Sequence, residues 1–259
     1  MTLTVADALS LSGREWVWTD LHWGNRQESA LEVAVRILPT LQLLRGRFPA
    51  DEARWLIRAG RTSGLMRQQP VPEDPVELAA LIESPRQKDA PDGLSMCGTL
   101  EARYSLYKGD DPETGTIFEF TAEAGAGHNR ISLRLPDGFR LGTPEEAAEW
   151  FRGLIGIWQP AFAAVGSTAV TAAVVDRGVQ LEKHFLRKFP VGYLNWFSLA
   201  SYGRPPFPLE QQREYSAGTL VAVSEWTTTA AVDLSVELEA QGLLHWPSWD
   251  TPNPSPITD

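Results

Sequence analysis

With 259 residues, 43% of them hydrophobic and 22% charged, the chain can bury a sizeable core and falls outside the composition of disordered proteins. Its 33 acidic and 23 basic residues leave a formal charge of −10, which repels nucleic-acid phosphates and suits either plain solubility or a basic partner. The single cysteine, Cys97, excludes an intramolecular disulfide framework, and no apolar run reaches the roughly 18 residues of a membrane span.

Met1 to Gly13 carries no Lys or Arg and is interrupted by Asp7, so it does not read as a secretory leader, and the cytoplasm is the expected location. Glu15 to Ser29 (E-W-V-W-T-D-L-H-W-G-N-R-Q-E-S) holds three of the ten tryptophans. Trp16 and Trp18 alternate with Val17 as in a strand. Gly24 breaks it, and Asn25 with Glu28 forms a capping-box pattern for a helix from about Arg26 to Arg45. Leu31, Val35, Leu38 and Leu41 give that helix its expected buried stripe. Pro39 inside it predicts a kink or break, and Gly46 and Pro49 close it. Trp55 to Ile57 reads as a short strand or helix end, finishing at Gly60. Pro70 to Pro75 is a rigid loop, with Asp74 as N-cap and Pro75 at the first position of a helix over Val76 to Glu83.

Ser84 to Gly93 is polar and loop-like. Three strands then form an expected antiparallel meander: Leu100–Tyr107, Thr116–Thr121 and Asn129–Leu135. In the last, Ile131, Leu133 and Leu135 face one side. The clearest helix follows. Thr143-Pro-Glu-Glu146 is a capping box with proline at the first position. Ala147, Trp150, Phe151, Leu154, Ile155 and Trp158 make one apolar stripe, and Pro160 stops it. Ala169 to Val175 is expected as a strand, Lys183 to Phe189 as a basic connector, and Val191 to Ala200 as a buried strand. Gly203 to Pro208 is a rigid loop and Thr219 to Ser224 a strand. A last helix spans about Ala231 to Gln241, with Gly242 just past its end and Leu243 as the apolar contact after it. Residues 246–259 are rich in Pro, Ser and Thr and read as a loose tail. The order, β-α-β-α-β-β-β then α-β-β-β-α, predicts an α+β fold in one domain over 1–259, with its core in about 16–244.

Catalytic patterns are scarce. There is no phosphate-binding loop, and Gly125-Ala-Gly127 is a turn between strands. The four histidines, His22, His128, His184 and His245, form no ligand pair, so neither metal nor cofactor is expected. Cys97 sits in no nucleophile pattern, and the adjacent Glu145 and Glu146 suit the first turn of a helix. Basic residues cluster only at Lys183 to Lys188, which argues against nucleic-acid binding. Trp150 and Trp158 belong to the core stripe, whereas Trp16, Trp23, Trp196 and Trp226 fit either core or an interface. These patterns favour a binding protein over an enzyme.

His22-Trp-Gly-Asn-Arg-Gln-Glu-Ser29 resembles the Y-W-G-x-R-x-E-S opening of the immunity protein 52 family of bacterial polymorphic toxin systems. Trp55 to Gly60 and the segment up to Pro75 also resemble that family. Val191-Gly-Tyr-Leu-Asn-Trp-Phe-Ser198 is similar to its V-G-W-L-x-Y-L-S strand, and Pro205 to Leu209 to its proline-rich loop. Gly218 to Val223 and the final helix ending in Gly242-Leu-Leu244 complete a resemblance over about residues 16–244. His22 departs from it, standing where Tyr is usual, as does the stretch Ser84 to Gly98. The resemblance implies a cytoplasmic immunity protein that binds and blocks a cognate toxin without chemistry. Such toxins include nucleases of restriction-endonuclease-like fold, some delivered by type VI secretion. An acidic inhibitor suits the basic groove of a nuclease.

Trp23, Asn25 and Arg26, at the strand-to-helix junction, and Asp110, Asp111 and Glu113, in an acidic turn, are the candidate toxin contacts. Turn and capping structure is the commoner reason for residues of the first kind, and a solvated hairpin turn for those of the second. Two other functions compete: an adaptor or chaperone for a secreted effector, and a small-molecule hydrolase with a site assembled from distant residues.

Overall fold

The computed structural model describes residues 17–23, 28–47, 55–59, 67–86, 102–104, 129–135, 139–177, 191–203 and 212–244. In chain order these form β1 (Val17–Trp23), α1 (Ala30–Arg45), β2 (Trp55–Ala59), β3 (Arg67–Pro70), α2 (Pro75–Arg86), β4 (Ala102–Tyr104) and β5 (Asn129–Leu135). Then come α3 (Pro144–Trp158), β6 (Phe162–Ser167), α4 (Thr168–Asp176), β7 (Leu194–Ser198), α5 (Leu199–Tyr202), β8 (Gln212–Tyr215), β9 (Gly218–Ala222) and α6 (Thr228–Ala240). The fold is α+β. A six-stranded sheet runs in the order β5-β1-β6-β7-β9-β8, and a three-stranded sheet in the order β3-β2-β4. Every pairing between described strands is antiparallel.

β1 lies between β5 and β6, so its alternation is read on both sides. Val17, Thr19 and Leu21 oppose Leu135, Leu133 and Ile131 on one neighbour, and Ser167, Val165 and Ala163 on the other. Side chains directly opposite across an antiparallel pair share a face, so these residues form one apolar surface, buried throughout. Tyr215 of β8 reaches α3 from this face, where its hydroxyl donates to the Arg152 carbonyl oxygen and the Arg152 guanidinium lies over its ring. β6 and β7 are buried at every residue, so both faces of the sheet are covered there. On the second face Phe162 and Phe197 meet at 5.2 Å, and Tyr202 of α5 closes edge-on over Phe197.

Two glycines let this sheet pack as tightly as it does. Trp18 lies opposite Gly166, and a Cβ there would meet the indole at 2.4 Å. A Cβ on Gly192 would sit 1.9 Å from the Val165 carbonyl oxygen, because the chain entering β7 runs against the backbone of β6.

The helices show which local signals held. α3 starts with the capping box at Thr143 and Glu146, with Pro144 in its first turn, and buries all six residues of its predicted stripe. Each fully buried large side chain on that stripe contributes about 1.5–3 kcal/mol. Gln159 ends α3 in the left-handed conformation, immediately before Pro160. α2 starts as expected, with the Val76 N–H donating to Asp74 Oδ1 at 2.7 Å, and runs on to Arg86. α6 ends in a complete Schellman turn. Gly242, at φ 71°, donates to the Glu239 carbonyl, and Leu243 donates to that of Leu238.

Other expectations are corrected. α1 is capped by Ser29 and Glu32, not by Asn25 and Glu28: Ser29 N–H donates to Glu32 Oε2 at 2.7 Å and Glu32 N–H to Ser29 Oγ at 3.3 Å. The buried side is Ala30, Val33, Ala34, Ile37, Leu41 and Leu44, and Leu31 and Val35 are exposed. The helix passes Pro39 without a break.

Residues 168–176 are helix α4, not a strand. The β-branched run suits a strand, but Ser167 Oγ accepts the Val170 N–H, and burial falls on Val170 and Val174, one helical turn apart. β4 pairs with β2, and β5 with β1; the middle strand of the expected meander, 116–121, through which β4 and β5 would be joined, lies outside the described residues. The apolar side of β5 matches that of β1, residue for residue across the pair. β3, β6 and β8 are further strands that the sequence patterns did not separate. The strand expected at residues 116–121, the basic connector, the loop at 204–208 and the tail at 246–259 lie outside the described residues.

Two substitutions test this packing by urea denaturation. Gly192→Ala is expected to destabilise the protein by at least about 2 kcal/mol, because the added methyl meets backbone that cannot yield. Thr143→Ala is expected to cost about 1 kcal/mol through loss of the cap. An unchanged midpoint for Gly192→Ala would contradict the close approach of β6 and the start of β7.

Candidate functional site

The junction after β1 is framed by α1 and α3, which lie antiparallel and are fastened at both ends by arginines. Near the start of α1, Arg36 Nε pairs with Glu28 Oε1 at 2.9 Å, with the two side chains 11% and 12% exposed. Arg36 Nη1 also donates to the Ile157 carbonyl oxygen in the last turn of α3. That turn has no basic residue of its own, so Arg36 supplies from another helix the cation that a helix C-terminus favours. At the far end, Arg47 Nη2 donates to the Glu146 carbonyl at 2.9 Å and Nη1 to the Leu141 carbonyl at 3.2 Å. Eleven positions separate Arg36 from Arg47, and eleven separate Glu146 from Ile157. Both clamps therefore span the same length, about 16–17 Å of helix. Between them the helices close to contact, with Leu43 filling the space beside Gly153.

A buried polar link lies inside the clamp. Trp158 Nε1 donates to Thr40 Oγ1 at 2.8 Å, and that hydroxyl donates to the Arg36 carbonyl at 2.8 Å. By contrast the indole N–H groups of Trp150 and Trp196 are buried with no hydrogen-bond partner. Trp158 also stacks on Trp23, the last residue of β1, at 5.4 Å and 25°. His22 stacks on Phe162 at 6.3 Å and 27°, and its carbonyl accepts the Ala161 N–H at 2.7 Å. The imidazole thus packs as an aromatic ring beside Phe162.

The Glu32 carboxyl is held below its ordinary value of 4.5 by the Ser29 N–H and hydroxyl, with the Arg36 charge adding to this against a small opposing effect of burial. Glu28 and Glu32 thus do different work one helical turn apart. Glu28 neutralises the clamp arginine, and Glu32 closes the cap.

Of the predicted contact residues, Trp23 is buried against Trp158 and belongs to the frame. Asn25 and Arg26 lie outside the described residues, as do Asp110, Asp111 and Glu113, and also Cys97. Trp196 is buried too, and Trp226 is partly buried against Tyr193, stacked at 5.2 Å and 6°. The clamp residues Arg36, Thr40 and Arg47 carry no local sequence signal of their contact with α3, because their partners there and just before it are 93 to 121 positions away. Among the described residues, no helix is long and apolar enough to cross a membrane. No group of three or more His, Cys, Asp or Glu side chains converges there as a metal site would.

No protein-family model and no curated protein matches the sequence. Among solved structures the chain is similar to the Pseudomonas aeruginosa T6SS protein PA0821, with 11% identity and a TM-score of 0.55, over 90% of this chain and 77% of that one. The likeness is one of fold.

Removing one member of the clamp strands its partner. Arg36→Ala is expected to destabilise the protein by about 3 kcal/mol, since it leaves Glu28 nearly buried without its cation. Arg36→Met combined with Glu28→Gln is expected to recover more than half of that loss. A single variant within about 0.5 kcal/mol of the parent in urea denaturation would refute the clamp.

A second test uses acid. The depressed Glu32 carboxyl contributes stability that is present above about pH 4.5 and is lost as pH falls through its lower folded value. Glu32→Gln is expected to flatten that part of a Tm-against-pH profile. A profile of unchanged slope below pH 4.5 would contradict the assignment.

Proposed function

We propose that this protein is an immunity protein of a type VI secretion-associated toxin system. It binds a cognate toxin in a stoichiometric complex and performs no chemistry itself. The observation that carries the reading is the fold held in common with a T6SS protein over 90% of the chain. The ordered motifs from His22 to Leu244 that resemble the immunity protein 52 family support it. The toxin expected from that resemblance is a nuclease of restriction-endonuclease-like fold, met in the cytoplasm where it would reach DNA.

The formal charge of −10 agrees with this partner. A nuclease groove is basic, and an acidic inhibitor is drawn to it faster than a neutral one, by a factor that falls with salt. The same charge disfavours direct contact with nucleic acid. The likeness to a T6SS protein fits a second reading as well, an adaptor that loads a secreted effector. An adaptor would hold the effector outside its toxic domain, whereas an immunity protein would bind that domain alone.

Co-expression decides between them. The product of the gene beside this one is expected to arrest growth when produced alone and to be tolerated when this chain is produced with it. Its isolated toxic domain is expected to co-purify with the chain in a one-to-one complex. Growth unaffected in either case would refute the immunity reading. Co-purification with the whole effector but not with its toxic domain would select the adaptor.

A further inference from the structure

The outward side of α1 is apolar where a surface helix is ordinarily polar. Leu31 is 46% exposed and Val35 is 53% exposed, one turn apart, and Leu38 and Pro39 continue the strip half-buried. α1 already has a complete buried side, and Leu38 packs against the edge of the core, so Leu31 and Val35 are the members of this strip that the core leaves exposed. α2 and α3 both pack on α1. The exposed charged side chains of this helical layer are mostly acidic: Glu32, Glu73, Asp74 and Glu77 around α1 and α2, and Glu145 and Glu149 on α3. Arg36 and Arg47 are turned inward to Glu28 and to backbone carbonyls, which leaves Arg45, in the last turn, as the exposed cation of α1 against those acidic side chains.

We infer that the outer face of the α2–α1–α3 layer is the docking surface for a basic protein partner, with Leu31 and Val35 as its apolar centre. The inference rests on the immunity reading and deepens it, since the partner of that reading is the toxin. An apolar centre with a charged rim is the usual anatomy of a protein interface. Charge selects the occupant. A second copy of this chain, itself of formal charge −10, would set the same mostly acidic face against its own and is repelled, whereas a basic domain is attracted. The face also adjoins the junction where the resemblance to the immunity family is densest, since α1 begins three positions after Arg26 at its cap, Ser29.

The test measures binding of the toxic domain encoded by the neighbouring gene to the full chain, at low and at high salt. Leu31→Glu combined with Val35→Glu is expected to raise Kd at least 30-fold. Val236→Glu, on the exposed side of α6, is expected to leave Kd within about twofold. Affinity of the parent protein is expected to fall as salt rises. Should the double glutamate variant lose its folded circular-dichroism spectrum, Leu31→Ser with Val35→Ser serves instead, with at least a tenfold rise in Kd expected.

Parent-like binding by a folded α1 variant would overturn this surface and leave the immunity reading standing. Failure of the parent protein itself to bind would overturn both. Concentration-dependent dimerisation of the parent in sedimentation, abolished by the α1 variant, would assign the face to a second copy and overturn the basic partner.

Discussion

The antiparallel clasp of α1 and α3 is the constraint from which the rest of the structure follows. Its two arginine clamps work because each guanidinium engages more than one group in a fixed fork. Arg36 meets a carboxylate and a helix-terminal carbonyl at once, and Arg47 meets two carbonyls. A lysine ammonium is a point charge and would not hold that geometry. With the helices fixed at both ends, Trp158 is placed over the end of β1 and Thr40 under its indole N–H. The position of the last strand residue before the junction is thereby set by residues more than a hundred positions later in the chain.

The sheet is built to meet that clasp. β6 reads F-A-A-V-G-S, with small residues where its neighbours bring large ones. Ala163 lies opposite Trp196, Gly166 lies opposite Trp18, and Ala164 lies opposite Asn195. Large rings over small residues keep the interior close-packed without strain in the strands. One polar residue inside the sheet, Asn195, is accommodated locally. Asn195 exchanges hydrogen bonds with the N–H and carbonyl of Gly192, both at 2.9 Å, so a buried amide braces the turn into β7. The same Gly192 must lie flat on the backbone of β6, and one short segment thus ties side-chain satisfaction to strand spacing.

What was legible in the sequence was whatever local chemistry decides. The α+β class, the capping box at Thr143, the six-residue stripe of α3, the start of α2 and the Gly242 turn all follow from signals within a few residues. The failures share a cause. Leu31 and Val35 have helical spacing as good as that of Val33 and Ile37, and only the partner layer decides which face is buried. Residues 168–176 are β-branched enough for a strand, and the Ser167 cap decides otherwise. At the candidate site the motif His22 to Ser29 was visible, but the residues that brace it were not. Arg36 and Thr40 look like ordinary helix-surface and core positions until α3 is set beside them.

The second face of α1 bears on how binding and stability are related here. A helix that docks a partner does so more tightly when it is already fixed, because association then costs less ordering of backbone and side chains. α1 has that fixity on its inner side: the Ser29–Glu32 box at one end, Arg47 at the other, and the Arg36 and Thr40 links between them. Its outer residues Leu31 and Val35 are held in place without being used by the core. Burying them later, against another protein, adds apolar contact to a surface that does not have to reorganise. The exposed strip and the clamp beneath it are therefore two aspects of one arrangement, in which interactions along the inner side of a single helix determine how rigidly its outer side is presented.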